Sequence, residues 1–416
     1  MLSAEKNERI TRVGPGTPMG DLLRRYWYPI AFETDLDEFP IKQVRLLGED
    51  LALFRNGNGE LGLLTEACPH RRASLVCGVT EANGLRCGYH GWLFANDGQC
   101  LEQPAEPQHS TFAERIKTTA YKVQQLGGLI FAYLGPDPAP LLPRYDLFVW
   151  DGVMRDVGHT MLPCNFLQIM ENSVDPHHVE WLHGRYMAFI NELKGVEAPQ
   201  TFTKRHAKIG FDVFEHGIIK RRVLEGMTEE DEDWKVGHPL VFPHMLRVGA
   251  GGQYQFQIRV PVDDTHTWHL WYTCYRPGEV EVPRQDVIPN YEVPYLDDRG
   301  NFITDFVDGQ DMMAWVTQGE ISERDKERLG KSDMGITLLR RVVLEQIKRV
   351  EDGQDPLGVM RDPAANEIID LPQEKEKYGS GQAFRTEFLK LGQARYSPIK
   401  DEIRELYERA EAKAGV

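Results

Sequence analysis

Residues 68–92 read CPHRRASLVCGVTEANGLRCGYHGW. Within them Cys68-x-His70 is followed, after sixteen residues, by Cys87-x-x-His90. Two thiolates and two imidazoles on two short loops suit a [2Fe–2S] cluster, with the cysteines on one iron and the histidines on the other. Thiolate favours the iron that stays ferric, while neutral imidazole removes negative charge and raises the potential. Gly88 and Gly91 let the second loop turn tightly, so that backbone N–H groups approach sulfur. A Cys2His2 zinc site takes the same ligand types. Zinc fingers, however, place paired cysteines before paired histidines, whereas here each loop carries one of each.

A second constellation lies in ENSVDPHHVEWLHG, residues 171–184. It holds Asn172, Asp175, His177, His178 and His183. Two histidines and a carboxylate on one face of an octahedron leave open positions, the arrangement that non-haem Fe(II) needs to bind O2 beside an organic substrate. The spacing of His178 and His183 is awkward: five residues turn an ideal α-helix by about 140° beyond a full turn. A π-bulge, or a helix end at Gly184, brings the two rings together. Pro176 fits the first turn of a new helix, with Asp175 as its N-cap.

The elements around these residues divide the chain. Residues 1–25 read as a helical arm, broken by PGTP at 15–18. From about 40 to 135 short apolar runs alternate with turn signals, among them Asn56-Gly57 and Asp97-Gly98, so an antiparallel β domain is expected. GPDPAPLLPRY at 135–145, four prolines in eleven residues, reads as a stiff linker. Residues 165–183 then read as helix, 199–276 as strand-rich, 306–350 as helix and 401–415 as an amphipathic terminal helix. The expected division is an arm over 1–38 packing on the larger domain, a β domain over 39–145 and an α+β domain over 146–416.

Composition narrows the function classes. The 416 residues carry a net charge of −16, which repels polyanions and disfavours nucleic acid. An anionic substrate would have to be held by local cations. Neither a secretory signal nor an apolar stretch of about 18 residues is visible, so a cytoplasmic protein without a membrane span is expected. Six cysteines in such a chain point to metal ligation or burial rather than disulfides. Cys77 and Cys100 are expected to be small buried residues.

The two cluster loops match the Rieske motif, and CPHRRASL and CGYHGWLF resemble those of ring-hydroxylating oxygenases. Respiratory Rieske proteins carry an extra cysteine in each loop; here Tyr89 stands at the second position and Cys77 lies outside the first. The pattern Asn-x-x-Asp-x-x-His-x4-His of Rieske oxygenases is filled by Asn172, Asp175, His178 and His183, which favours His178 over His177. The resemblance implies a third iron ligand within FVDGQDMMAWVTQG at 306–319. Asp311 is the best match and Asp308 the runner-up, with a helix-capping aspartate as the plain alternative. RDKERLGKSDMGITLLRR at 324–341 resembles the branch typified by phthalate dioxygenase, and the likeness runs from GPGTPMG at 14–20 to that segment.

What the resemblance implies is an α+β protein: a small antiparallel β Rieske [2Fe–2S] domain plus an α+β helix-grip catalytic domain with a mononuclear Fe(II). It further implies a head-to-tail homotrimer, or a dimer of trimers, of this subunit alone. A flavin/iron–sulfur reductase would pass NAD(P)H-derived electrons to the cluster for activation of O2. Asp175 would join His178 to His90 of a neighbouring copy. The expected reaction is hydroxylation of an aromatic, carboxylated compound; O-demethylation of a methoxylated aromatic acid is the alternative, and a Rieske electron carrier a distant one. Arg247, Gln257 and Arg259 are expected at the substrate pocket, with Met245, Phe256 and Trp315 as pocket or core. Asp263 and Asp264 read as turn residues.

Overall fold

The computed structural model describes residues 2–196, 202–375 and 389–414. They fall into two compact units, one of residues 12–142 with 359–363, the other of 2–11, 143–196, 202–358, 364–375 and 389–414. Among the described residues no helix is long and apolar enough to cross a membrane.

Short apolar runs between turns make the smaller unit antiparallel throughout. Its six-stranded sheet joins β1 (Trp27–Phe32), β10 (Leu129–Tyr133), β9 (Ala120–Leu126), β4 (Leu61–Thr65), β3 (Glu49–Arg55) and β2 (Ile41–Leu46), in that order. A four-stranded sheet joins β5 (Val79–Glu81), β6 (Gly84–Arg86), β7 (Leu93–Phe94) and β8 (Cys100–Glu102). Both turn signals do connect hairpins, β3 to β4 and β7 to β8. At the first, the Asn56 side-chain oxygen accepts from the N–H groups of Asn58 at 3.0 Å and Glu60 at 2.9 Å, which sets a five-residue loop rather than a two-residue one. Phe54, Leu64, Leu75, Leu85, Trp92 and Phe94 pack into one core, and Cys68, Cys87 and Cys100 are part of it.

The arm differs from the expectation. Only residues 2–11 join the larger unit, where helix α1 (Ala4–Thr11) is fastened by Asn7 Nδ2 donating to the Ser322 carbonyl at 2.9 Å. Helix α2 (Pro18–Leu23) and β1 belong to the smaller unit, because β1 pairs with β10 along Trp27↔Tyr133 to Phe32↔Leu129. A partner about a hundred residues downstream is invisible to local patterning. Cys77 is another difference: it is exposed, since the turn Leu75–Cys77 points Leu75 inward and Cys77 out, while Cys100 is buried as expected. All six cysteines are free.

The larger unit is built on an eight-stranded sheet. Its order is β12 (His206–Phe214), β13 (Gly217–Leu224), β14 (His238–Val241), β15 (Met245–Ala250), β16 (Gln253–Pro261), β17 (Thr267–Tyr275), β11 (Met154–Leu162) and β18 (Asn290–Glu292). Only β11 and β18 run parallel. One face is covered by the short α3 (Asp146–Val149), with Phe148 against Phe256 and Tyr272. The other carries α4 (Phe166–Ser173), a π-helix (Val179–Tyr186), α5 (Met187–Leu193) and, beyond the four-residue α6 (Glu232–Lys235), α7 (Val307–Val316). Leu162, Ile169, Trp271, Phe306, Met312 and Trp315 form the core that seats α4 and α7 on the sheet. Helix α8 (Met334–Glu351) and the C-terminal helix Lys400–Ala414 complete the unit, while residues 317–330, expected to be helical, hold no helix. The expected start of the strand-rich region, 199–201, lies outside the described residues.

Asp156 on β11 is fully buried and accepts from the Tyr275 hydroxyl at 3.1 and 3.2 Å. Burial pushes its carboxyl up to about 7, against hydrogen bonds from Ser397, Tyr275 and Tyr291. A carboxyl raised in the folded state stabilises the fold fully below its unfolded value near 4, and that contribution is lost as pH climbs through about 7. Asp156→Asn should therefore melt a few degrees above the wild type at pH 8, with the gap closing at pH 4. Melting curves at the two pH values check this; an equal gap at both would contradict it.

Candidate metal centres

In the smaller unit Cys68 and Cys87 lie side by side in the core, 1% and 3% exposed, while His70 and His90 sit at the surface. The two imidazoles are 4.5 Å apart between centroids, and His70 stacks on Trp92 at 4.4 Å. The first loop closes through Arg72 N–H to the Cys68 carbonyl at 2.9 Å, the second through Gly91 N–H to the Cys87 carbonyl at 3.0 Å. Gly91 has φ +75°, a conformation that strongly favours glycine. Arg86 braces this loop, donating to the Gly91 carbonyl at 2.5 Å while ion-paired to Glu81 and Glu102. Burial pushes the Cys68 thiol up to about 11, the neighbouring Cys87 adds to this, and backbone N–H groups of His70 and Arg71 pull the other way. Those N–H groups are the donors expected near sulfur, supplied here by the first loop. Two buried thiols beside two surface imidazoles are the donor set of a mixed-ligand iron–sulfur cluster.

In the larger unit Asn165 caps α4, its side chain accepting from Leu167 N–H at 3.1 Å. The helix stops at Ser173, and Pro176 holds the chain out of it. The Asp175 carboxylate then accepts from His177 N–H at 2.9 Å within a local turn; the helix that follows starts only at Val179, with His178 at its N-cap, so Asp175 is not the helix cap expected at Pro176. The next turns are π-helical, the alternative that reconciles the five-residue spacing. Gly184 follows directly on His183, and a Cβ there would stand 2.6 Å from the Phe202 carbonyl, so glycine lets the strand-side chain press against the π-helix.

This brings His178 Nε2 to 3.7 Å and His183 Nε2 to 3.3 Å from Asp311 Oδ1, with ring centroids 5.2 Å apart. Asp311 reaches them from α7. Its Oδ1 is buried and makes no well-formed hydrogen bond. Burial raises its carboxyl, but His183, His178 and Arg259 outweigh this and hold it below the usual range, an anion. An orphaned buried carboxylate oxygen facing two imidazole nitrogens fits a metal ion between them. Asp308 lines the same cavity but is not one of the three grouped donors: its Oδ2 accepts from Gln393 N–H at 2.8 Å, and burial followed by the Asp311 charge lifts its carboxyl to about 7.

The other predicted residues separate. His177 turns away from the centre to Glu180 and His206; Glu180 Oε1 accepts from His206 N–H at 2.6 Å and lies 2.7 Å from His206 Nδ1. His178 Nδ1 donates to the Asp175 carbonyl at 2.5 Å, whereas the Asp175 carboxylate is 3.7 Å away. Burial would raise that carboxyl, but His178, His177 N–H and Lys220 bring it down to about 2. Asn172 lines a cavity of about 70 Å³ beside the three donors, with Ser173, Val179, Leu246, Val248 and Gln257. Arg247 does not line it: strand alternation turns Leu246 and Val248 to the cavity and Arg247 to the other face, where it pairs with Asp146 at 2.9 Å. Arg259 is fully buried and donates to Gln257 Oε1 at 2.8 Å. Phe256 and Trp315 are core, Trp315 against His269. Met245 is buried on β15. Asp263 holds its turn, accepting from Thr265 N–H at 3.0 Å.

Some cavity residues had no sequence signal beyond alternation. Lys220 and Arg222, two apart on β13, both face inward from what reads as a charged run, and Arg222 is paired to Asp233 at 2.6 Å. Gln310, whose Oε1 lies 3.0 Å from His183 Nδ1, was missed altogether.

Comparison with known proteins decides the family. Residues 26–120 match the Rieske [2Fe-2S] domain, and residues 288–371 match the LigXa C-terminal domain like family. The 5,5'-dehydrodivanillate O-demethylase oxygenase subunit of Sphingobium sp. (strain NBRC 103272 / SYK-6) is 42% identical over 376 residues, 89% of this chain and 87% of the relative. The chain belongs to the Rieske non-haem iron oxygenases. This Rieske oxygenase is also 32% identical to the phthalate 4,5-dioxygenase oxygenase subunit of Pseudomonas putida, over 86% of this chain and 89% of that one. Its fold is that of the NdmA protein of Pseudomonas putida CBB5 solved with caffeine, with TM-score 0.59, 20% identity, and coverage of 80% of this chain and 93% of that one. A Rieske oxygenase subunit uses a [2Fe–2S] cluster and a non-haem iron, and both donor sets above are of the matching kind.

Proposed function

We propose that this subunit is the terminal oxygenase of a multicomponent system that oxidises an aromatic acid, with O-demethylation as its reaction. The 42% identity to an O-demethylase subunit across 89% of the chain carries that choice. Ring dihydroxylation is the second reading, favoured by the 32% identity to a phthalate dioxygenase subunit.

In this reading Cys68, His70, Cys87 and His90 hold the cluster in the smaller unit, and His178, His183 and Asp311 hold the iron in the larger. When bound, the cluster delivers electrons singly and the iron activates O2 beside the substrate. The chain's own part is positioning. The Asp175 carbonyl fixes His178 with Nε2 inward, and Asp311 supplies a negative charge against the metal. Val179, Leu246, Val248 and Val307 keep bulk water from the centre. Overall, O2, two electrons and two protons convert an aryl methyl ether into a phenol, formaldehyde and water. The electrons come from a flavin/iron–sulfur reductase oxidising NAD(P)H in the cytoplasm.

A homotrimer, or a dimer of trimers, completes the path, with His90 of one copy docking near Asp175 of the next. The exposed His70 and Tyr89, the half-buried His90, and the 66% exposed Trp181 on the π-helix are aromatic groups that such an interface buries.

Cys87→Ser should bleach the visible spectrum of the purified protein. Asp311→Ala should keep the colour while losing non-cluster iron, and Asp308→Ala should keep both; iron and acid-labile sulfide assays check this, and the reverse for the two aspartates would move the ligand to Asp308. With a generic reductase, methoxybenzoates should release one formaldehyde per O2 consumed. A cis-diol from benzoates or phthalates, with no formaldehyde from any methoxyarene, would replace demethylation by dihydroxylation.

A further inference from the structure

We propose that Gln310 is a positioning residue for the metal centre: its carboxamide decides which nitrogen of His183 carries the proton, and so which is left to ligate. The inference rests on His183 being a ligand, and extends that reading to a side chain that does not touch the metal.

Gln310 sits in α7 immediately before Asp311 and is fully buried. Its Nε2 donates to the carbonyl of Thr304, just ahead of the helix, at 2.9 Å. A carbonyl oxygen only accepts, so this bond settles the orientation of the amide and turns Oε1 toward His183. Oε1 lies 3.0 Å from Nδ1 and also only accepts. Nδ1 is therefore the protonated nitrogen. The lone pair falls on Nε2, the atom 3.3 Å from Asp311 Oδ1. The sulfur of Met187 at the start of α5 lies 3.4 Å from Gln310 Nε2, which leaves the amide little room to turn over.

One helix thus addresses both nitrogens of one imidazole. Successive residues project about 100° apart, so Gln310 takes the Nδ1 edge while Asp311 faces the Nε2 edge. His178 needs no such partner, because the main-chain carbonyl of Asp175 fixes its Nδ1. The two rings differ in that only His183 is oriented by a side chain.

The test measures Fe(II) affinity of the cluster-loaded protein by chelator competition, with the electron paramagnetic resonance of its nitric oxide adduct and thermal melting alongside. Gln310→Leu keeps the size and removes the acceptor; it should weaken iron binding by about 10–100-fold and broaden the adduct signal. The cluster spectrum and the melting point of the iron-free protein should stay put. Gln310→Glu restores an acceptor and should return affinity to within severalfold of wild type. If the leucine variant does not fold, Gln310→Asn, one methylene too short to reach Nδ1, carries the same expectation. His183→Ala is the reference and should lose the mononuclear iron. If it does while the Gln310→Leu protein binds iron within twofold of wild type, the positioning role is overturned and the ligand assignment stands. If His183→Ala keeps its iron, the ligand assignment falls and the role of Gln310 with it.

Discussion

The site depends on one departure from regular backbone geometry, the π-helical stretch Val179–Tyr186. On an ideal α-helix His178 and His183 would diverge by about 140° around the axis and share no ligand. The wider turn closes that angle, and isolated π turns persist only where surroundings hold them. Here the Phe202 carbonyl packs where a side chain at position 184 would be, and Glu180 ties the outer face of the turn to His206. Helix α7 then needs only to present one carboxylate to a pair of rings already facing it.

How the fold treats buried carboxylates separates structural from chemical ones. Glu171 is buried on α4 and fully answered, by Arg324 at 2.9 Å and Arg340 at 2.6 Å. Losing one partner of such a pair costs about 3–5 kcal/mol, because a charge is left buried alone. Asp308 is answered by a backbone N–H and Asp156 by hydroxyls. Asp311 alone among these four has a fully buried oxygen without a hydrogen bond, and it is the one that faces two imidazole nitrogens. An isolated buried charge is costly, so such a gap persists where a cation fills it.

Local chemistry was legible in the sequence. The cluster donors sit within twenty-three residues and the two histidines within six, so type and spacing were enough to find them. Asp311 came only through resemblance, since a lone aspartate in a helix has no local mark. Gln310 was invisible for the same reason: an amide signals nothing until its neighbours in space are known. Alternation alone does not say which face of a strand is inward, and one residue of register exchanges Arg247 for Leu246 and Val248 at the cavity. The first strand reads from the sequence as part of an arm, because its partner, β10, arrives about a hundred residues later.

The most direct measurement is anomalous scattering at the iron edge from crystals of the iron-loaded protein. The account predicts a single-iron peak within bonding distance of His178 Nε2, His183 Nε2 and an Asp311 oxygen, together with a cluster peak between Cys68, Cys87, His70 and His90. A mononuclear peak among His177, Glu180 and His206, a second group of histidine and carboxylate donors close enough to share an ion, or one lacking Asp311, would contradict it.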